Sequence, residues 1–528
     1  MKRAAQAIGI AVAMTLALAA CSGGQVKGAA GGNDTFVMAP TLAVVTDLDP
    51  SISYSNEVIA LQNVYESLTR YNSKTKKAEP LLATSWKVSP DGLTWTFDLR
   101  KGVTFHDGKP MDAKAVAASL DRNRKSGVGA SYIWAAVANI AATDASTVTF
   151  TLSYPAPIDL IASSIYSSYV YDVTAAGAGD LTKWFNSGKD AGTGPYTIAK
   201  WAKGAEVEMK LASYSKYWGG WSGDHFKNVE FRVTPDANTT WQLLQSGEVD
   251  YAAFLTPQLF AKAKTTSTVQ TAEGTTFQNL VSLYNTKNGP TADVNVRKAL
   301  QLATDYTGLV ASLAGAGTAS SGIVPEGLLG YTSGLQGKTN LKQAAALLKT
   351  AGYGPGGKPL NLTMTYAQGD DAQAKYATLL VSAIQQLGGT LTATPMDWNA
   401  QWDLGKSPDA THRQDIFVMY WYPDYPDAYS WFYNVFHSQK DLSFNLSYFD
   451  DPKLDAAIDE LPKLTALDRT KAQNAYADLQ NTILNDDALA SFPFVQAAQH
   501  VLSKRVGGFV DDPAYPGVVH VYDTKVVH

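Results

Sequence analysis

The chain has a single cysteine, Cys21, among 528 residues. No internal disulfide can form, so a body of this length must be held by packed cores and their hydrogen bonds. The composition supports that: 45% of residues are hydrophobic and 17% are charged, the balance of a folded globular protein rather than a disordered one. At roughly 500 residues, the body exceeds what one core ordinarily serves, so more than one lobe is expected.

The place of that cysteine carries information of its own. Lys2 and Arg3 precede an apolar run over residues 4–20, interrupted only by Gln6 and Thr15, which ends in Leu18-Ala19-Ala20-Cys21. A positive start, an apolar middle and a small-residue end form a secretion signal, so residues 1–20 are left out of the folded body. The run is also short for a spanning helix, which needs about 20 apolar residues. Leu-Ala-Ala-Cys resembles the bacterial lipobox, which implies cleavage before Cys21 and a lipid on its thiol. The protein would then be anchored to the outer face of the cell membrane, in the periplasm or cell-wall zone. Residues 21–33, rich in Gly, Ala and Ser, read as a flexible tether. No later stretch is long and apolar enough to span a bilayer. The 43 basic and 48 acidic residues form no basic stripe, which argues against nucleic acid as a partner. The 12 Trp and 27 Tyr suit pocket walls that must accept varied ligands.

Hydrophobic periodicity divides the body in two. The first half opens with strand signals, and the region from about 190 to 250 is strand-rich. Thr94-Trp95-Thr96-Phe97-Asp98-Leu99 alternates strictly and places Trp95, Phe97 and Leu99 on one strand face. Residues 147–152 and 206–211 alternate likewise. A helix is expected over residues 58–68, another capped by Asp112, and a short one over 239–244 ending near Gly247. From about residue 290 the pattern becomes helix and strand in turn: helices over 294–313, 341–350 and 371–387, and strands over 360–366, 390–394 and 415–420. That alternation predicts an α/β lobe with a largely parallel sheet.

Asp415-Ile416-Phe417-Val418-Met419-Tyr420 reads as a continuous apolar strand, as inner strands are. Trp421-Tyr422-Pro423-Asp424-Tyr425-Pro426-Asp427 follows at once. Ligands of open α/β sheets bind at the carboxyl ends of strands, so these rings and carboxylates stand where a site is expected. The prolines stiffen the turn and remove backbone donors. A carboxylate among rings can pair with a cationic group by a charge-assisted hydrogen bond. A surface turn with packed rings is the plainer alternative.

Several motifs, in order, resemble one family: Glu79-Pro80-Leu81-Leu82-Ala83-Thr84-Ser85-Trp86, Asp91-Gly92-Leu93-Thr94-Trp95-Thr96-Phe97, and Leu99-Arg100-Lys101-Gly102-Val103-Thr104-Phe105-His106-Asp107-Gly108. Gly192-Thr193-Gly194-Pro195-Tyr196, Tyr217-Trp218-Gly219, Gly247-Glu248-Val249-Asp250 and Val296-Arg297-Lys298-Ala299-Leu300 continue the series. The chain resembles the solute-binding proteins of family 5, whose members bind oligopeptides, dipeptides and nickel. The resemblance implies an α/β, two-lobe periplasmic-binding-protein fold of type II, cluster C-like, with a hinge. Lobe I would comprise residues 34–70, 190–281 and 498–528, an inserted domain 71–189, and lobe II 282–497. It also implies a monomer without cofactor that captures a small peptide in the cleft and hands it to the permease subunits of an ABC transporter. Asp424 occupies the position whose carboxylate holds a peptide α-ammonium. Trp421 and Trp398 match pocket-wall aromatics, Tyr422 is a further wall candidate, and Ser55 and Asn56 fall in the loop that borders the ligand. Asp427 is the rival carboxylate, expected to cap the helix that follows.

Other readings have less behind them. The seven histidines lack paired metal-ligand spacing, so a protein-built metal site is not expected. The Gly-rich pieces near 315–322 and 352–357 lack the Lys-Ser/Thr end of a phosphate loop, and no Gly-x-Ser-x-Gly elbow occurs. A secreted hydrolase using Asp424 and Asp427 as a carboxylate pair is the alternative of a different class. An oligosaccharide, an opine or a chelated metal on the same fold is the alternative within it.

Overall fold

The computed structural model describes residues 34–40, 45, 47–252 and 255–527; Cys21, the signal segment and the tether lie outside them. A long mixed sheet runs through the protein. Its strand order is Thr390–Met396, Asn361–Ala367, Ile416–Trp421, Val269–Tyr284, Phe494–Ser503, Tyr251–Ala252, Thr35–Ala39, Asn228–Arg232, Val207–Ser213 and Tyr196–Trp201.

Two antiparallel strands, Val269–Tyr284 and Phe494–Ser503, join the two lobes. The first pairs with the second from Val269↔Ser503 to Thr275↔Ala497, and again at Asn279↔Val495, after an irregularity. Its far end pairs antiparallel with Ile416–Trp421. At the irregularity the Thr276 hydroxyl donates to the Gln496 carbonyl at 2.7 Å, and the Phe277 N–H donates to the Pro513 carbonyl at 2.8 Å. The ladder is therefore interrupted where the chain passes between lobes, and a bulge of this kind lets paired strands bend.

The second lobe corrects the expectation of a largely parallel sheet. Only Thr390–Met396, Asn361–Ala367 and Ile416–Trp421 run parallel. The chain enters this lobe on one crossing strand and leaves on the other, and both oppose their neighbours. Helices Val294–Ala303, Leu341–Thr350 and Asp371–Gln386 cover its outer face over a core including Leu280, Val296, Leu348, Leu380, Ile416 and Val418. Phe417, Met419 and Trp421 point the opposite way, into the core shared with the N-terminal part, as a period of two requires.

A separate four-stranded antiparallel sheet orders Ala83–Val88, Thr94–Leu99, Thr147–Leu152 and Val137–Ala142. Trp95, Phe97 and Leu99 are buried on one face of it. Asp112 caps Ala113–Lys125, accepting the Ala115 N–H at 2.9 Å. Gly247 ends Ala237–Ser246 in the left-handed conformation that favours glycine.

Two helices are shorter than periodicity predicts. The one expected over 58–68 stops after Val58–Leu61, because the carbonyls of Asn63 and Val64 accept from Tyr196 and Gly194 instead. A Cβ on Gly192 or Gly194 would stand 2.2 and 2.6 Å from the Val64 carbonyl oxygen, which is why that turn needs glycine. His106 braces the same turn, with Nε2 2.9 Å from the Gly194 carbonyl and Nδ1 on the Asp190 carboxylate. The helix expected over 294–313 is two, Val294–Ala303 and Tyr306–Ser312. Asp305 breaks it by capping the second, taking the Gly308 N–H at 2.9 Å.

Candidate functional site

The strand Ile416–Trp421 lies inside the sheet, and its carboxyl end leads into the turn 422–427, which meets Tyr54, Tyr132 and Ser164. Pro423 and Pro426 stiffen this turn. Asp424, at its centre, is 2% exposed. Its Oδ1 accepts from the Tyr54 hydroxyl at 2.7 Å, and its Oδ2 accepts from the Tyr132 hydroxyl. Asn434 Nδ2 donates to the Tyr132 oxygen at 3.1 Å. The Ser164 hydroxyl donates to the main-chain carbonyl of Asp424 at 2.6 Å. Two phenols from separate segments thus meet on the carboxylate, Ser164 holds its main chain and Asn434 braces Tyr132; among the described residues the carboxylate forms no ion pair.

Burial without a counter-charge disfavours the ionised form. It pushes the Asp424 carboxyl above its ordinary value, against the lowering effect of the two phenol hydrogen bonds. The phenols respond in kind. Burial and the adjacent carboxylate drive Tyr54 and Tyr132 far above the usual tyrosine range, so both stay neutral and donate.

Asp427 is also buried, but its partners are local: the Tyr429 N–H at 2.7 Å and the Tyr476 hydroxyl at 2.5 Å, both on Oδ1. Rather than capping the helix that follows, as the sequence predicts, it holds the turn at Tyr429, and Ser430 stands at the N-cap without a side-chain capping bond. The helical piece beyond is a π-helix, Trp431–Phe436. The two acids share no hydrogen-bond partner.

The other candidate residues fall into two groups. Trp421 is nearly buried, edge-on to Phe444 at 4.9 Å. Trp398 is half exposed and meets Trp402 edge-on at 5.3 Å; Trp402 in turn meets Phe444 at 5.4 Å. Two intervening rings therefore link Trp398 to Trp421. Tyr422, partly exposed, is close enough to Asp424 for burial and that carboxylate to push its phenol up to about 12. Ser55 and Asn56 are exposed; the Ser55 N–H donates to Glu57 at 2.9 Å. In that loop it is the preceding residue, Tyr54, that reaches the carboxylate.

The description "bacterial extracellular solute-binding proteins, family 5" fits residues 77–443, more than half of the chain. The chain belongs to this family. The solute-binding protein is 28% identical over 492 residues to the probable D,D-dipeptide-binding periplasmic protein DdpA of Escherichia coli, covering 90% of this chain and 91% of that protein. It is 26% identical to the dipeptide-binding protein of Escherichia coli, covering 85% and 87%. Its fold matches NikA from Brucella suis, solved in complex with Fe(III)-EDTA, with a TM-score of 0.78 at 20% identity, covering 93% and 98%.

Sequence reasoning missed Tyr54, Tyr132 and Ser164 as neighbours of Asp424. Tyr54 had a signal, since it adjoins the loop already marked at Ser55. Tyr132 and Ser164 had none, because nothing in their local pattern differs from that of ordinary packing residues. Among the described residues no group of three or more His, Cys, Asp or Glu converges as metal ligands, and no helix is long and apolar enough to cross a membrane.

Proposed function

We propose that this solute-binding protein is the capture component of an ABC importer, enclosing small peptides between its lobes and presenting them to the permease subunits. The single observation behind the peptide reading is Asp424, a buried carboxylate with hydroxyl donors and no cation. Burying a charge is costly unless it is paired. A peptide α-ammonium supplies the missing charge and replaces the phenol hydrogen bonds with charge-assisted ones, which are stronger. Trp421 and Tyr422 flank the anchor, Trp398 lies further along the same run of rings, and Ser55 and Asn56 edge the opposing loop. Closure follows from the hinge, where the crossing strands lose their ladder at residues 276–278. Bending there brings Tyr54 and Tyr132 toward Asp424 and changes the outer surface a transporter meets.

The domain division is part of the proposal: lobe I from 34–70, 190–281 and 498–528, an inserted domain 71–189, and lobe II 282–497. So are a monomeric state, the absence of enzymatic turnover, and a lipid on Cys21 that tethers the body to the membrane. Cys21→Ser should release the protein from the membrane fraction; unchanged fractionation would remove the anchor from this scheme.

Calorimetry with dipeptides tests the ligand class. Binding by the wild type that is lost or strongly weakened in Asp424→Asn supports it. A ligand without an ammonium, such as a chelated metal, an opine or an oligosaccharide, would bind both proteins alike. If native mass spectrometry of purified protein finds such a ligand, the peptide reading fails while the capture role stands.

A further inference from the structure

Beside the anchor lies a cavity of about 450 Å³ between residues 132–161 and residues 425–463. One residue connects it to the anchor: Tyr132 donates its hydroxyl to Asp424 and also lines the cavity. Tyr425, the next residue after the anchor, lines it as well.

The walls divide by chemistry. Ile133, Ala136, Ala156 and Ile161 are buried and give an apolar floor. Tyr154, Tyr429 and Tyr433 form the outer part, with the Tyr429 and Tyr433 rings stacked at 5.2 Å. Asp459 acts electrostatically on the Tyr154 and Tyr429 phenols, which places a carboxylate at this rim. The only cation among the lining residues, Lys463, is paired with Glu460 at 2.7 Å. The rim therefore carries net negative charge.

We propose that this tyrosine-walled cavity is a specificity subsite that takes a bulky apolar side chain, aromatic or large aliphatic, of the ligand whose ammonium sits on Asp424. An ammonium that displaces the Tyr132 hydroxyl frees the ring separating the anchor from the cavity, so the adjoining side chain enters there. Aromatic walls over an apolar floor favour a large hydrophobic group, and the volume exceeds what an aromatic side chain fills. The negative rim disfavours an acidic side chain.

This inference rests on the peptide reading and has its own test. Calorimetry with Phe-Ala, Leu-Ala, Ala-Ala and Glu-Ala should rank the first two about tenfold or more above Ala-Ala, with Glu-Ala weakest, from the apolar area buried. Two variants at exposed lining positions, Ala135→Trp to fill the cavity and Tyr433→Ala to remove a wall, should each reduce the Phe-Ala over Ala-Ala ratio at least threefold. Circular dichroism confirms that each is folded, and either variant alone suffices if the other is not. Equal affinity of all four peptides for the wild type, or an unchanged ratio in a folded variant, overturns the subsite while leaving peptide capture intact. If no dipeptide binds at all, the subsite falls together with the peptide reading.

Discussion

Asp424 and Asp427 stand three residues apart in one turn, both buried, both pushed upward in pKa by desolvation, yet they are held in opposite ways. The phenols on Asp424 come from 370 and 292 positions away, in the N-terminal part of the chain. The phenol on Asp427 comes from Tyr476, 49 positions away in the same half of the chain, and its other donor is the Tyr429 N–H. Hinge opening would separate Asp424 from its partners and leave Asp427 untouched. The comparison teaches that burial and a raised pKa do not mark a binding residue. On the proposed reading, what would mark one is that its partners come from a distant part of the chain, 370 and 292 positions away.

The largest expected effect follows directly. Asp424→Asn removes the counter-charge for a ligand ammonium and should cost about 2–5 kcal/mol of dipeptide affinity, read by calorimetry. Unfolding stability should change little, because the variant no longer buries an unpaired carboxylate. The same measurement on Asp427→Asn should show affinity within about threefold of wild type, since that side chain bonds only to groups in its own half of the chain. Comparable losses in both variants would erase the distinction.

Next in size is Tyr476→Phe. It leaves the Asp427 carboxylate with one main-chain donor in a site closed to water, and urea unfolding should report a loss of about 1–3 kcal/mol. Peptide affinity should hold. A large loss of affinity with intact stability would mean that Asp427 works in the cleft after all.

The pH dependence sharpens the contrast. For both acids the folded pKa lies above the unfolded one, so their contribution to stability is present at low pH and lost as pH rises through the folded pKa. A bound ammonium relieves this at Asp424 alone, by holding the ionised form. Proton and peptide then compete for one site. Dipeptide affinity should fall as pH is lowered through the raised value, by up to about tenfold per pH unit. Asp424→Asn should flatten that profile, and Asp427→Asn should leave it sloping.

What could be read in advance follows the same division between local and distant. The strand Ile416–Trp421 and its proline-stiffened turn were legible, because an unbroken apolar run and two prolines are local signals. So were the caps at Asp112 and Gly247 and the outer helices Leu341–Thr350 and Asp371–Gln386. The helix at Val58–Leu61 was over-extended because the groups that claim the Asn63 and Val64 carbonyls lie some 130 residues on. The parallel character of the second lobe was overstated because alternation of helix and strand does not reveal which way a crossing strand such as Val269–Tyr284 runs. At the site, the turn placed Asp424 and Trp421 at the end of an inner strand, where the structure has them; their part in binding belongs to the proposal. Tyr132 was not legible, since its contact depends on packing the helical turn Gly129–Trp134 against a turn almost 300 residues away.

The smallest expected effect probes the contact that defines the contrast. The Tyr54 hydroxyl donates to Asp424 at 2.7 Å, while its ring packs edge-on to Tyr166 at 5.1 Å; with the proposed hinge, that bond would hold the cleft shut before a ligand arrives. An arriving ammonium must replace that bond. Tyr54→Phe keeps the ring packing and removes the competitor, so dipeptide affinity should rise by up to about fivefold, the worth of one hydrogen bond of about 1 kcal/mol. Tyr476→Phe, the equivalent change at Asp427, should produce no such gain. If the bond spans the proposed lobes, Tyr54→Phe should also expand the ligand-free protein in small-angle scattering without altering the peptide-bound profile. Weaker peptide binding in Tyr54→Phe would show that the phenol stays on the carboxylate when the ligand is present. Tyr54 would then be part of the liganded site rather than its stand-in, and the partners of Asp424 would be as permanent as those of Asp427.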